Sequence, residues 1–183
     1  MSKIILCAGL TICFAAVLAK GSQKPLTTKS DSELINSLSS VQESTGAPDE
    51  IVHRGARMIP LLLKVKGDQR PAYAGLGHHL SATPTIVARN PSDVVPGKTL
   101  TMEVAALYLI SAIYHNTLEF AQSPYLSDHR LPVRERRALN SPDLVARAWQ
   151  SVEEWSRRLD GTTIKELRSR KDDPLRGSSV AFW

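Results

Sequence analysis

The side chains of this sequence that can do acid, base or ligand chemistry are few and scattered. His115 and Glu119 stand four residues apart. On a helix that puts an imidazole and a carboxylate on one face, where His78, His79 or His129 would complete a metal shell. The set lacks a tight ligand signature such as H-E-x-x-H, and His115 near a helix end equally complements the negative C-terminal dipole. The expectation is therefore no metal ligand and no cofactor. Glu103 is the best single titratable candidate, since partial burial favours the neutral form a general acid needs. Its simpler role is structural: a carboxylate in a first helical turn, favoured by the dipole and paired with an arginine of the fourth helix. Asp128-His129 is the pair of a hydrolase dyad, but adjacent residues seldom orient each other, and no G-x-S-x-G elbow is present. Gly177-Ser178-Ser179 has no strand before it. Gly75 and Gly77 form G-x-G with neither a preceding strand nor a following helix, which argues against a phosphate cradle.

A second group of residues suits binding better than catalysis. Arg70, Tyr73, His78, His79 and Arg89 lie in one irregular stretch, and Arg134, Arg136 and Arg137 follow later in the chain. Aromatic and guanidinium groups in that mixture offer charge-assisted hydrogen bonds to carboxylates or phosphates of a polar partner.

Helices must position these groups. Ser30-Asp-Ser-Glu33 has capping-box spacing, and Leu34, Ile35, Leu38 and Val41 follow as one stripe up to Gly46-Ala-Pro48. Asp49-Glu50 opens a second helix through Ile51, Val52, Gly55, Met58, Ile59, Leu62 and Leu63, with Gly67 as its stop. Pro60 inside that pattern cannot serve the Ala56 carbonyl, so a kink is expected there. From Gly67 to Lys98 periodicity fails. Only Thr85-Ile-Val-Ala88 resembles a strand, and irregular loops of this length in compact domains are usually functional or mobile. Thr99 or Thr101 caps a third helix, whose run Val104 to Tyr114 is apolar on every side and hence central. Ser123-Pro124 breaks the chain, and Pro132 to Leu139 reads as a short, arginine-rich fourth helix. Ser141-Pro142-Asp143 starts another, lined by Leu144, Val145, Ala148, Val152, Trp155 and Leu159 and closed by Gly161. Thr163-Ile-Lys-Glu166 repeats the capping box. Val180, Phe182 and Trp183 make an apolar end expected to pack on the helices, since a barrel would need many alternating strands.

Met1 to Ala19 reads as an export signal: Lys3, an apolar run from Ile4 to Leu18, and a Val-x-Ala ending. Both cysteines, Cys7 and Cys13, lie inside it. A mature chain would then carry no thiol, which excludes disulfides, cysteine nucleophiles and thiolate zinc sites. Residues 20–29 read as a flexible tether and 30–183 as one helical domain. From Lys20 to Asp128 ten basic residues balance ten acidic ones, whereas Arg130 to Arg176 holds twelve against eight. Acids interleave throughout that basic stretch and aromatics are few, so a solvated helix surface explains it better than a nucleic-acid site.

The first two helices, about residues 31–66 with Gly55-Ala-Arg-Met-Ile-Pro-Leu-Leu-Leu63 near the middle of the second, resemble a helical hairpin of the HEAT-like repeat families. The sequence is also similar in character to exported bacterial proteins without assigned function. The HEAT-like resemblance implies a protein-binding scaffold; such repeats stack to bury their apolar faces. The fold expected is mainly all-α, a single-domain helical bundle or HEAT-like array with one long irregular loop. The function expected is a non-enzymatic, exported (periplasmic or secreted) module that binds a protein or cell-envelope partner, with no nucleic acid and no membrane span once the signal is cleaved. A small exported hydrolase or metal-dependent enzyme is the alternative.

Overall fold

The computed structural model describes residues 25–40, 45–72, 100–121, 123–132, 135–136 and 139–183. The expected signal, Val41, the strand-like Thr85–Ala88 and most of the long irregular stretch lie outside them. The described chain is mainly helical, with α1 (Asp31–Ser37), α2 (Ala47–Arg54), α3 (Ile59–Leu63), α4 (Met102–His115), α5 (Pro142–Arg157) and α6 (Ile164–Ser169), and a small sheet of β1 (Leu126–Asp128) and β2 (Val180–Phe182).

The third apolar run becomes α4, the axis of the fold. Thr101 caps it, its hydroxyl accepting from the Val104 N–H, and Asn116 in the left-handed region (φ 61°) ends it. Thirteen of its fourteen residues are buried, so no face is left for water, and α2, α3, α5 and α6 all pack on it. Its C-terminal carbonyls are served from outside: the Arg168 guanidinium of α6 donates to the carbonyls of Ile113 and Tyr114. Leu62, Leu107, Ile110, Val152 and Trp155, the side chains expected at the centre, are all 0% exposed.

Capping chemistry sets the starts of α1, α5 and α6 as expected. Ser30 and Glu33 exchange hydrogen bonds at 3.2 and 2.6 Å, and Thr163 and Glu166 do the same at 3.3 and 2.7 Å. Ser141 caps α5 through the Leu144 N–H with Pro142 in its first turn.

The helix ends differ from expectation. α1 stops at Ser37, and Gly46, expected to close it, instead precedes α2 with φ 74°. A Cβ there would sit 3.0 Å from the Leu26 side chain, which adds a close approach to the glycine requirement. The second expected helix is broken at Gly55 (φ 67°, ψ −141°) rather than kinked at Pro60. A 3-10 turn, Gly55–Met58, leads into α3, and Pro60 falls in the first turn of that new helix, where its missing N–H costs nothing. The Ala56 carbonyl that Pro60 cannot serve accepts from Ile59 instead.

Of the expected tether, residues 25–29 are attached. Leu26–Thr28 forms a 3-10 turn, and the Leu26 carbonyl accepts from Arg54 at 3.0 Å. The irregular stretch leaves and returns at one place, because the Ala72 N–H bonds the Leu100 carbonyl (2.8 Å) and the Met102 N–H bonds the Arg70 carbonyl (2.9 Å). The expected arginine-rich helix over 132–139 falls partly outside the described residues; within them, the Glu135 N–H closes a turn onto the Pro132 carbonyl.

The apolar C-terminus does more than pack. β2 pairs antiparallel with β1 in the register Leu126↔Phe182, Ser127↔Ala181, Asp128↔Val180, and Phe182 also meets the Tyr108 ring edge-on at 5.1 Å. Burial pushes the Tyr108 hydroxyl up to about 12, and that hydroxyl donates to the Leu118 carbonyl. Among the described residues no helix is long and apolar enough to cross a membrane.

Truncating Leu107 to alanine in the middle of α4 is expected to lower the unfolding free energy by about 2–5 kcal/mol, from lost transfer energy plus the cavity left behind. Urea denaturation of parent and variant measures it, and a change within error would mean that α4 is not the centre of the core.

Candidate functional site

α5 buries the stripe Leu144, Val145, Ala148, Trp149, Val152 and Trp155 and leaves a cleft along each margin of that stripe. Residues at 100° per position explain the division. Asp143, Arg147, Gln150 and Glu154 fall on one side, and Pro142, Val145, Ala146 and Trp149 on the other.

The first cleft, about 510 Å³, is walled by those polar α5 residues together with Arg130 and the turn from Arg176 to Ser179. Asp128, only 12% exposed, organises it. Its carboxylate accepts from Arg130 Nε and Nη2 at 3.0 and 2.6 Å and from Arg147 Nη2 at 3.1 Å. Arg147 reaches further, to Asp143 Oδ2 (3.0 Å) and to the Ser179 hydroxyl (2.6 Å). A single guanidinium thus ties the end of β1, the first turn of α5 and the turn before β2 into one rigid wall. Ser179 makes this reach with φ 58°, a left-handed backbone held by its neighbours. The bonds from Arg130, and after them those from Arg147, hold the Asp128 carboxyl far below the usual carboxylate range against the opposing effect of desolvation. Arg176 is the looser cation: Nη1 donates only at 3.3 Å, to the Lys171 carbonyl.

The second cleft, about 550 Å³, lies between the first turns of α4 and α5 and the chain leaving α3. Val104, Pro142, Val145, Ala146 and Trp149 supply its apolar wall, and Glu103, 9% exposed, supplies a carboxylate. Glu103 does not meet the expected arginine of the fourth helix. Oε2 accepts from the Gly67 N–H at 3.0 Å and Oε1 from the Gln69 amide. The reason is local, since the chain crossing at Arg70–Ala72 and Leu100–Met102 brings the end of the α3 turn directly onto the start of α4. Four buried side-chain atoms among the described residues have no partner: Ser111 Oγ, Ser123 Oγ, Asn140 Nδ2 and Trp149 Nε1. Asn140 and Trp149 are among the residues that line this cleft, although these two nitrogens are themselves closed off from it.

The residues singled out from sequence are distributed otherwise. His115 Nε2 lies 3.0 Å from an Asp173 carboxylate oxygen, and the ring stacks on Phe120 at 4.8 Å, so it serves packing and a polar contact. Glu119 is exposed in the 3-10 turn after α4, and the His129 N–H bonds the Ser179 carbonyl at 3.1 Å. Among the described residues no three histidine, aspartate or glutamate side chains gather where an ion could sit. Arg70 is paired with Asp68 at 2.6 Å, and Arg136 folds onto the carbonyls of Leu131 and His129 at 2.8 and 3.0 Å. Neither lines a cleft described above. Tyr73, His78, His79, Arg89, Arg134 and Arg137 lie outside the described residues. Sequence reasoning passed over Arg130, Arg147, Arg176, Asn140 and Trp149. For Arg147 a signal existed: Asp143 and Arg147 are four apart on a helix whose start was legible.

The pH dependence of the Asp128 cluster follows from its sign. A carboxyl held low in the folded chain contributes stability above its unfolded pKa of about 3.9, and that contribution fades as pH falls below it. Parent and Asp128→Asn are expected to differ most in denaturation midpoint near neutrality and to converge as pH drops below about 4. A gap that is constant from neutral to acid pH would show that these arginines do not stabilise the charged form. No protein-family model, curated protein or solved structure matches this chain, so the chemistry of the two clefts stands on their own geometry.

Proposed function

We propose that the chain is a non-enzymatic, exported helical binding module that engages a protein or cell-envelope component through the arginine-lined cleft. The observation that carries this reading is the wall of Arg130, Arg147 and Arg176 with Ser178 and Ser179, in which Asp128 holds Arg130 and Arg147 in place. The Arg130 and Arg147 guanidiniums are already fixed on Asp128, which lowers the entropy lost when a partner docks. The described lining holds no histidine or cysteine that would activate a hydroxyl or attack a substrate. Guanidiniums on such a wall recognise carboxylate or phosphate groups by forked hydrogen bonds. Charge balance supports a mixed polar partner rather than a polyanion, because Asp143 and Glu154 share the wall. Export rests on the signal-like Met1–Ala19, and the HEAT-like resemblance of residues 31–66 points the same way, to a scaffold.

Arg130→Ala/Arg176→Ala removes the two exposed cations while leaving Arg147 to hold the wall. Affinity capture from the native envelope or culture fluid is expected to retain a partner on the parent and roughly tenfold less on the double variant, the loss of one to two charge-assisted bonds. Equal retention by both, or retention of nothing by the parent, overturns the reading. Export is checked separately by intact mass: the secreted species is expected to begin at Lys20, and retention of residues 1–19 would defeat it.

A further inference from the structure

The arginine-lined cleft holds charges of both signs that its own wall does not pair. Arg147 is engaged at each of its nitrogens, Nε on Asp143, Nη1 on Ser178 and Ser179, and Nη2 on Asp128, so it stiffens the wall and has little left for a ligand. The donors open to a partner sit on Arg130 and Arg176. Arg130 holds Asp128 with Nε and Nη2, and its Nη1 bonds nothing among the described residues. Arg176, exposed, gives one hydrogen bond from Nη1 and meets no carboxylate among them. The acceptors divide in the same way. Asp128 and Asp143 are both met by Arg147. Glu154, exposed on α5, accepts only from the Gln150 amide at 3.1 Å and has no cation among the described residues. Arg176 and Glu154 line one cleft without pairing, although Ser151, one turn before Glu154, donates to the Arg176 carbonyl at 3.4 Å.

Opposite charges left apart in one cleft select a partner that brings both signs. A polyanion would meet Arg130 and Arg176 but be repelled by Glu154, and a polycation would meet the reverse. The described lining carries no apolar or aromatic side chain, so an acyl chain or a nucleobase finds nothing to pack on. Length narrows the choice further. The row Asp143, Arg147, Gln150 and Glu154 runs along α5 for about 16 Å at 1.5 Å per residue, the reach of about five residues of extended peptide. A zwitterionic headgroup, with its phosphate and ammonium a few bonds apart, covers only a fraction of that row.

We propose, on the reading above that this cleft is the binding surface, that its partner is an extended peptide segment carrying acidic and basic side chains. The acids meet Arg130 and Arg176, a basic residue meets Glu154, and Glu154 is the residue that sets the preference for mixed charge.

Fluorescence anisotropy of three labelled, end-capped nonapeptides with the full chain is the test. Serine fills their even positions. The odd positions, which share one face of an extended chain, are alternating Glu and Lys, all Glu, or all Lys, so the register along the cleft is immaterial. A chain of net charge +5 attracting by its long-range field alone would prefer the all-Glu peptide. The expected result is instead that the alternating peptide binds about fivefold tighter than the all-Glu one, a gap sized for one exposed ion pair set against one like-charge contact. Glu154→Lys is expected to invert that order, Glu154→Gln to remove the preference, and Arg130→Ala/Arg176→Ala to weaken both peptides. An all-Glu or all-Lys peptide that binds the parent as tightly as the alternating one, or a preference unchanged in Glu154→Lys, overturns the proposal; the cleft remains the binding surface so long as the double arginine variant still weakens binding. Binding to phosphatidylethanolamine vesicles that is lost in the double variant, with no peptide bound, overturns it in favour of a headgroup. Peptide binding indifferent to the double variant, or no binding to peptide or vesicle, overturns the cleft reading as well.

Discussion

Everything in this fold answers to a helix with no side for water. α4 has apolar residues on every side, and thirteen of its fourteen residues are buried, which a small domain achieves only by packing other helices around one. α2, α3, α5 and α6 each lend it a face, and the 3-10 turn after it folds back so that Phe120 rests 4.9 Å from Tyr108. The break at Gly55 follows from this demand. The segment from Ala47 to Leu63 must keep Ile51, Met58, Ile59 and Leu62 on the core, and it does so as two short helices joined by a left-handed glycine rather than one straight helix.

A fully apolar centre confines polar chemistry to its margins. At the N-terminal end of α4 the positive end of the helix dipole favours Glu103, and the crossing of the chain beside it supplies Gly67 and Gln69 as donors. At the C-terminal end Arg168 covers the final carbonyls, and His115 meets Asp173. Beside α5 the polar residues do the joining that apolar contact cannot. Strands of three residues carry too few ladder bonds to hold their place alone, and Arg147 fastens their ends to the helix through Asp128 and Ser179. The two clefts therefore arise from the same arrangement, one margin of α5 closed by charge and the other by apolar packing.

Local chemistry determined a good part of this protein in the sequence itself. Ser30 with Glu33, Thr163 with Glu166, and Ser141 before Pro142 each satisfy free backbone donors within four residues, so no distant contact is needed to set those helix starts. The burial of α4 was equally legible, because a run that is apolar on every side has one destination. The ends were not. Whether a helix stops at Ser37 or continues, and whether Gly55 or Pro60 interrupts the second, depends on what the chain must reach next. β1 and β2, 54 residues apart at Ser127 and Ala181, are too short to show alternation, and the Arg147 bonds that join their ends to α5 are made across the fold. The partners of Glu103 and Asp128 were likewise decided in three dimensions. A sequence displays charges and their spacing along one element, but which donor faces a carboxylate is settled by how elements cross, and neither Gly67 nor Arg147 announces that crossing in its neighbours.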